Sequence, residues 1–271
     1  RLKLALPDWF FSGDHDLVVN TGSMYGGARR LKPARYFFDQ GAEVCHFNYF
    51  SNPKTVGQLA AGLIDPLHPP ADFKPLDESQ REEPARAAPP ARKPTGSAPY
   101  AILLPGIMGS HLSEGGERVW FDLGRMAAGG IERLKIDRPG VTPSDVFGDF
   151  YGDFTDFLQA SHSVEVFPFD WRISIRDSAN SLTTLVEQRL ADAERNGQGL
   201  HIVAHSMGGL VARAMLALRP DLWRRLKSLP APACFRLIML GTPNHGSFQA
   251  VRLMVGQYGI ADLLALLDYR H

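Results

Sequence analysis

The chain has 271 residues, and its 29 Lys and Arg residues balance 29 Asp and Glu residues, so the formal net charge is zero. This balance argues against the basic face by which proteins hold nucleic-acid phosphates, and no apolar run reaches the roughly 18 residues of a membrane span. Cys45 and Cys234 are the only cysteines, too few for a disulfide framework or a cysteine-rich zinc site.

Both ends of the chain have unusual features. The first residue is Arg1, no charged and then apolar secretory segment follows it, and residues 263–271 have the apolar pattern of a helix interior. The sequence therefore predicts a fragment or processed form of a longer protein, and it predicts no particular compartment.

Composition divides the chain into three segments: residues 1–68, 69–99 and 100–271. Eight of the 20 prolines fall in residues 69–99, and residues 77–98 contain no apolar side chain larger than alanine. Such a stretch cannot bury enough surface to fold by itself, so we expect a semi-extended linker rather than a long surface loop.

Strand and helix patterns alternate on both sides of this linker. The first segment predicts strands at residues 9–11, 17–19 and 43–47, with a helix at 28–40. The last segment predicts strands at 100–104, 164–167, 200–204 and 236–240, and helices over a stretch ending at Asn196-Gly197 and over 208–218. Alternating strands and helices predict an α/β fold with a parallel sheet covered on both faces.

The strongest motif is Ala204-His205-Ser206-Met207-Gly208, which lies between a buried strand and a helix. A serine at such a sharp turn needs small residues two positions before and after it, and Ala204 and Gly208 are small. The helix N-terminus directs free N–H groups at the same place. This pattern predicts a nucleophile elbow with Ser206 as the nucleophile. His205 leaves the turn on another side, so we interpret it as structural.

A second motif lies at the end of the strand at 100–104, about 100 residues before the serine. It reads Leu104-Pro105-Gly106-Ile107-Met108-Gly109-Ser110. Acyl transfer develops an oxyanion that needs two fixed N–H donors. We expect one donor from Met207 and the other from Ile107, with Met108 as the alternative. A plain strand-to-helix turn is the alternative for the whole loop.

Four motifs in this order resemble the lecithin:cholesterol acyltransferase-like branch of the α/β-hydrolases. They are Pro105 to Ser110, Phe167-Pro168-Phe169-Asp170-Trp171-Arg172, Ala204 to Gly209, and Gly241-Thr242-Pro243-Asn244-His245-Gly246. The resemblance spans residues 98–250 and implies an α/β-hydrolase fold acting on esters of lipids or other apolar acyl groups. The chain departs from the family pattern at Phe169, where the family has tyrosine.

The resemblance also suggests lesser roles. Asp170 and Arg172 should form a structural ion pair or cap, and Trp171 should pack in the core rather than line an acyl pocket. His245 is interpreted as part of loop structure. Residues 247–267 correspond either to the beginning of a lid over the acyl site or to a core helix.

A serine hydrolase also needs a histidine base and a carboxylate that orients it. Neither His245 nor His271 has suitable spacing after Ser206. In the first segment, Asp16 resembles the triad acid that follows the seventh strand, with Asp14 as second choice, and His46 resembles the triad histidine. A turn carboxylate and a strand-end histidine are the non-catalytic alternatives.

The resulting order, Asp16, His46, Ser206, is the reverse of the usual hydrolase order. Two explanations fit: a piece of a tandem of two hydrolases, or a circularly permuted hydrolase. Either way we expect a serine esterase, lipase or acyltransferase that requires no metal or cofactor and takes a lipid or other apolar ester. The alternative is a non-catalytic binding or scaffold module of a larger multidomain protein.

Overall fold

The computed structural model describes eleven parts of the chain: residues 24, 35–39, 44, 46, 48–64, 72–76, 98–127, 130–136, 138–230, 234–247 and 250–251. Its strands are β1 (Arg35–Tyr36), β2 (Lys74–Pro75), β3 (Tyr100–Leu104), β4 (Ser110–Glu114), β5 (Glu117–Trp120), β6 (Val141–Val146), β7 (Ser163–Val166), β8 (Leu200–His205) and β9 (Phe235–Leu240). Its α-helices are α1 (Pro53–Ile64), α2 (Leu123–Ala127), α3 (Gly148–Gln159), α4 (Ile175–Asn196), α5 (Met207–Leu218) and α6 (Pro220–Lys227), and a 3₁₀ turn covers Gly130–Leu134.

The central sheet has four parallel strands in the order β7-β3-β8-β9. Beside it, β5, β4 and β6 form a three-stranded antiparallel sheet, and β1 pairs with β2. Because β3 and β8 are neighbours and parallel, the loops after their carboxyl ends lie side by side. Ligand sites in open α/β sheets are found at this edge.

Alternate side chains of β3 are buried in two different clusters. Ile102 and Leu104 lie in a cluster with apolar residues of α4 and α5, whereas Ala101 and Leu103 lie in a cluster with Phe154 and other residues of α3. This alternation follows from the two-residue period of a strand. Helices therefore cover both faces of the sheet, as the sequence predicted.

The first segment of the chain contributes to the second of these clusters. Leu59 and Leu63 of α1 are almost fully buried, and they belong to the cluster that contains Leu103 and Val203. The α/β class is thus confirmed, with a mostly parallel sheet, flanking helices and a core built from two separate stretches of sequence.

The residues that flank helix α4 explain where it begins and ends. Ser174 precedes the helix in extended conformation, and its side chain accepts a hydrogen bond from the Asp177 N–H. Gly197 follows the helix in left-handed conformation with a φ of 65°. A capping serine and a left-handed glycine are the usual end signals of a helix.

Two predictions for the first segment are wrong where they can be compared. Residues 35–39, predicted as helix, contain strand β1 instead, because residues 35–36 pair with β2. His46, predicted in a strand, lies in a turn just before the turn that leads into α1. The predicted strands at 9–11 and 17–19, and nearly all of residues 247–267, lie outside the described residues.

Candidate active site

Ser206 occupies the sharp turn between β8 and α5, as predicted. Its backbone has a φ of 51° and a ψ of −122°, a strained conformation for a residue with a side chain. The Ser206 N–H donates to the Leu240 carbonyl oxygen, and its carbonyl oxygen accepts from the Gly209 N–H. These bonds hold the turn between β9 and the first turn of α5.

Positions 208 and 209 must be glycine or similarly small because α5 packs directly against two loops. A Cβ atom on Gly208 would lie 2.5 Å from the Pro105 carbonyl oxygen. A Cβ atom on Gly209 would lie 2.0 Å from the Thr242 Oγ1 atom. The size requirement predicted for position 208 is therefore confirmed, and it arises from contact with the loop after β3.

The loop after β3 makes a tight turn beside the serine. The Gly109 N–H donates to the Gly106 carbonyl oxygen, and Met108 has a φ of 60°. The Trp120 indole N–H donates to the Met108 carbonyl oxygen over 2.9 Å. A Cβ atom on Gly106 would lie 3.1 Å from the Ser206 Cβ atom, so this loop and the elbow are in contact.

The two described non-glycine residues with positive φ, Met108 and Ser206, thus lie on these two adjoining loops. Strained backbone of this kind collects at functional sites. Among the described residues, the N–H groups of Ile107 and Met207 donate to no backbone acceptor. Both proposed oxyanion donors therefore flank the contact between loop and elbow.

His46 lies next to the elbow. Its carbonyl oxygen is 3.1 Å from the Nε2 atom of His205, the residue that precedes the serine. The centroids of the two imidazole rings are 4.7 Å apart, and His46 is buried. His46 of the first segment therefore contacts His205 of the last segment. Asp16 and the second choice, Asp14, lie outside the described residues.

The predicted ion pair between Asp170 and Arg172 is confirmed. Arg172 donates to both carboxylate oxygens, over 2.9 and 2.7 Å, and both side chains are buried. Trp171 contacts Trp120 with ring centroids 5.1 Å apart, which agrees with the predicted packing role. The Phe169 N–H donates to the Ser110 hydroxyl group, so this segment also supports the loop after β3.

The loop at residues 241–246 contacts the other side of the elbow. Thr242 is buried against Gly209, and the Asn244 side chain accepts a hydrogen bond from Arg213 of α5. His245 is exposed on this loop. The loop interpretation of His245 therefore agrees with its position.

Sequence reasoning missed Tyr151, a buried residue of α3. Its hydroxyl group accepts a hydrogen bond from the Gly106 N–H and lies 2.9 Å from the Nδ1 atom of His205. Burial raises the pKa of Tyr151 well above its ordinary value, so the hydroxyl group keeps its proton. The sequence contains no motif at this position that could have identified it.

Residues 158–267 match the family model described as lecithin:cholesterol acyltransferase. The match begins on α3 and includes the Phe167 to Arg172 motif, the elbow and the loop at 241–246. It confirms the resemblance of this chain to the lecithin:cholesterol acyltransferase-like branch of the α/β-hydrolases. In general terms it supports a hydrolase of the esterase or acyltransferase type.

Two further proteins are similar to parts of the chain. The uncharacterized protein YJR098C of Saccharomyces cerevisiae is 46% identical over 54 residues, which are 20% of this chain and 8% of that protein. The crystal structure of the Bacillus licheniformis lipase BlEst2 in mature form overlaps with a TM-score of 0.36 and 18% identity, over 65% of this chain and 54% of that one. The chain thus spans only part of each protein. Within the part of the chain that is described, no helix has both the length and the apolar character needed to cross a bilayer.

Proposed function

We propose that this chain is a serine hydrolase or acyltransferase for carboxylic esters, with lipid esters as the expected substrates. The observation that carries the proposal is the strained turn at Ser206, which adjoins a second strained loop at the carboxyl ends of two neighbouring strands. A binding module has no need for either strained turn. The family match over residues 158–267 supports the ester and acyl chemistry.

In the proposed reaction the Ser206 hydroxyl oxygen attacks the ester carbonyl carbon while its proton passes to the His46 imidazole. The N–H groups of Met207 and Ile107 stabilise the oxyanion. The C–O bond to the alcohol then breaks, and the imidazolium returns the proton to the leaving oxygen. Water or a second alcohol removes the acyl group by the same steps in reverse. Asp16 orients the imidazole and stabilises its charged form.

The assignment of His46 draws support from its place beside His205 and the elbow. We also propose that residues 1–68 and 100–271 form one catalytic body, whether the parent arrangement is a tandem or a permutation. Residues 69–99 join them, and the β2 part of this range pairs with β1. The burial of Leu59 and Leu63 against Leu103 supports a shared body. If a protease site placed between residues 77 and 98 is cut, we expect the two pieces to remain associated and active.

Labelling with a fluorophosphonate, which phosphonylates activated serines, tests the function. We expect stoichiometric labelling of the chain, and no labelling of Ser206→Ala. The matched control is Ser181→Ala, which makes the same change on an exposed face of α4 and should leave labelling intact. Loss of the triad base should slow labelling by about 10⁴-fold, so His46→Ala should behave almost like Ser206→Ala.

Each outcome has a distinct meaning. Labelling that survives His46→Ala would show that another group activates the serine. Absence of labelling in the unmodified chain would overturn the enzymatic proposal and favour the non-catalytic module. Hydrolysis of p-nitrophenyl esters of increasing chain length then measures the preference for apolar acyl groups.

A further inference from the structure

A single line of hydrogen bonds connects four parts of the structure around the site. The Gly106 N–H donates to the Tyr151 hydroxyl oxygen over 2.9 Å, and the same hydroxyl group lies 2.9 Å from the Nδ1 atom of His205. The Nε2 atom of His205 lies 3.1 Å from the His46 carbonyl oxygen. The line therefore joins the loop after β3, helix α3, the elbow and the first segment.

For a neutral His205 ring, the chemistry of these groups fixes the direction of each bond. A carbonyl oxygen only accepts, so the Nε2 atom of His205 carries a hydrogen and donates to His46. In the neutral ring the Nδ1 atom then accepts, and the Tyr151 hydroxyl group is its donor. The Tyr151 oxygen has a lone pair left for the Gly106 N–H. Every member of the line is satisfied in this one arrangement of protons.

The line is shielded from solvent. His205 is buried, and the rings of Phe50, Tyr49 and Tyr151 contact it with centroids 5.5, 6.0 and 6.0 Å away. Hydrogen bonds in such surroundings are electrostatically stronger than in water, and an unmatched partner there is costly. The arrangement is therefore rigid.

We propose that Tyr151 and His205 are positioning residues that hold the oxyanion loop at a fixed distance from Ser206. This inference rests on the proposed function. Gly106 directly precedes Ile107, the proposed oxyanion donor, so the bond from the Gly106 N–H to Tyr151 sets where the next peptide lies. A Cβ atom on Gly109 would lie 2.9 Å from the Tyr151 hydroxyl oxygen, so both glycines of the turn close around this group.

The effect on the reaction follows from the position of these atoms. Without the Tyr151 hydroxyl group, the Gly106 N–H loses its acceptor and the loop can shift relative to the serine. A displacement of about 1 Å in a reacting group can cost about 100-fold in rate. Because the oxyanion develops only in the transition state, the loss should fall on kcat rather than on KM.

The variants separate this role from general damage to the fold. Tyr151→Phe removes only the hydroxyl group. His205→Asn retains an acceptor near the position of the Nδ1 atom, whereas His205→Leu has similar size and no polar atom. Tyr100→Phe is the matched control, because it makes the same change at the amino end of β3, away from the loop.

Fluorophosphonate labelling gives two readouts for each variant. We expect the rate constant of Tyr151→Phe to fall by about 10- to 100-fold while the final stoichiometry stays full. His205→Asn should react faster than His205→Leu, and Tyr100→Phe should react like the unmodified chain. If Tyr151→Phe reacts at the unmodified rate, or loses only stoichiometry, the positioning role is wrong. Failure of the unmodified chain to react would instead refute the proposed function.

Nitrogen NMR of the chain uniformly labelled with ¹⁵N tests these hydrogen bonds without any activity. We expect the His205 ring to carry a proton on the Nε2 atom and none on the Nδ1 atom. Amide exchange at Gly106 should be slow in the unmodified chain and faster in Tyr151→Phe. A proton on the Nδ1 atom, or unchanged exchange at Gly106, would overturn the inference even if every variant folds.

Discussion

The backbone strain at Ser206 can be measured by comparing two variants that both lack the Ser206 hydroxyl group. Ser206→Ala retains a Cβ atom at a φ of 51°, whereas Ser206→Gly has none. Strained φ and ψ values of this kind cost on the order of 1–3 kcal/mol in residues with side chains, and we take about 2 kcal/mol here.

Two terms oppose the relief of strain. Glycine loses about 0.5–1 kcal/mol more chain entropy on folding than alanine. Burial of the lost Cβ atom is worth up to about 0.8 kcal/mol, since the site is 5% exposed. The glycine variant should therefore exceed the alanine variant by about 0.2–1.5 kcal/mol in free energy of unfolding.

The control pair is Ser181→Gly and Ser181→Ala on the exposed face of α4, where the backbone is helical. There glycine should be less stable than alanine by about 1 kcal/mol. Since 1 kcal/mol corresponds to about 2–4 °C in a domain of this size, thermal unfolding followed by circular dichroism resolves the difference. A glycine penalty of equal size at both positions would refute the strained elbow.

Three further predictions concern stability. Burial lowers the pKa of His162 to about 4 and that of His201 to about 3. Between pH 6.5 and about 4 the unfolded chain therefore binds more protons than the folded chain, and stability is lost as the pH falls. Urea unfolding at pH 5 should show a loss of about 2 kcal/mol per histidine relative to pH 7, and the loss should be smaller in His201→Asn. Gly209→Ala forces a Cβ atom into the Thr242 side chain and should lower the free energy of unfolding in urea by about 1–3 kcal/mol. The control is Gly148→Ala, whose Cβ atom meets open space, and equal effects of the two changes would argue against the close packing. Asp170→Asn leaves the buried Arg172 charge without its partner and should lower the free energy of unfolding by about 3–5 kcal/mol. A loss below about 1 kcal/mol would contradict a buried ion pair.

Local sequence was sufficient to predict the elbow, the helix that follows it and the end of α4. A serine turn depends on residues within two positions, and Ala204 and Gly208 are small enough for it. The limits of α4 likewise follow from Ser174 and Gly197, which act on backbone groups one turn away.

Other parts of the fold could not be predicted because their partners are distant in sequence. The antiparallel strands β4, β5 and β6 were not identified, and β1 replaced part of a predicted helix because it pairs with β2, almost 40 residues later. Short strands such as these form only when a partner strand is present.

The sequence by itself determined the chemical character of this chain: a strained serine between a strand and a helix, a glycine-rich loop one strand away, and four family motifs in order. Only the tertiary structure decided what surrounds them. His205 looked merely structural in the sequence, yet its ring lies between Tyr151, 54 residues earlier, and the His46 carbonyl, 159 residues earlier. The physical reason is the sequence separation of the interacting groups. A turn is set by the dihedral angles of its own residues, whereas hydrogen bonds across the core form only after the sheet and its covering helices bring distant residues together.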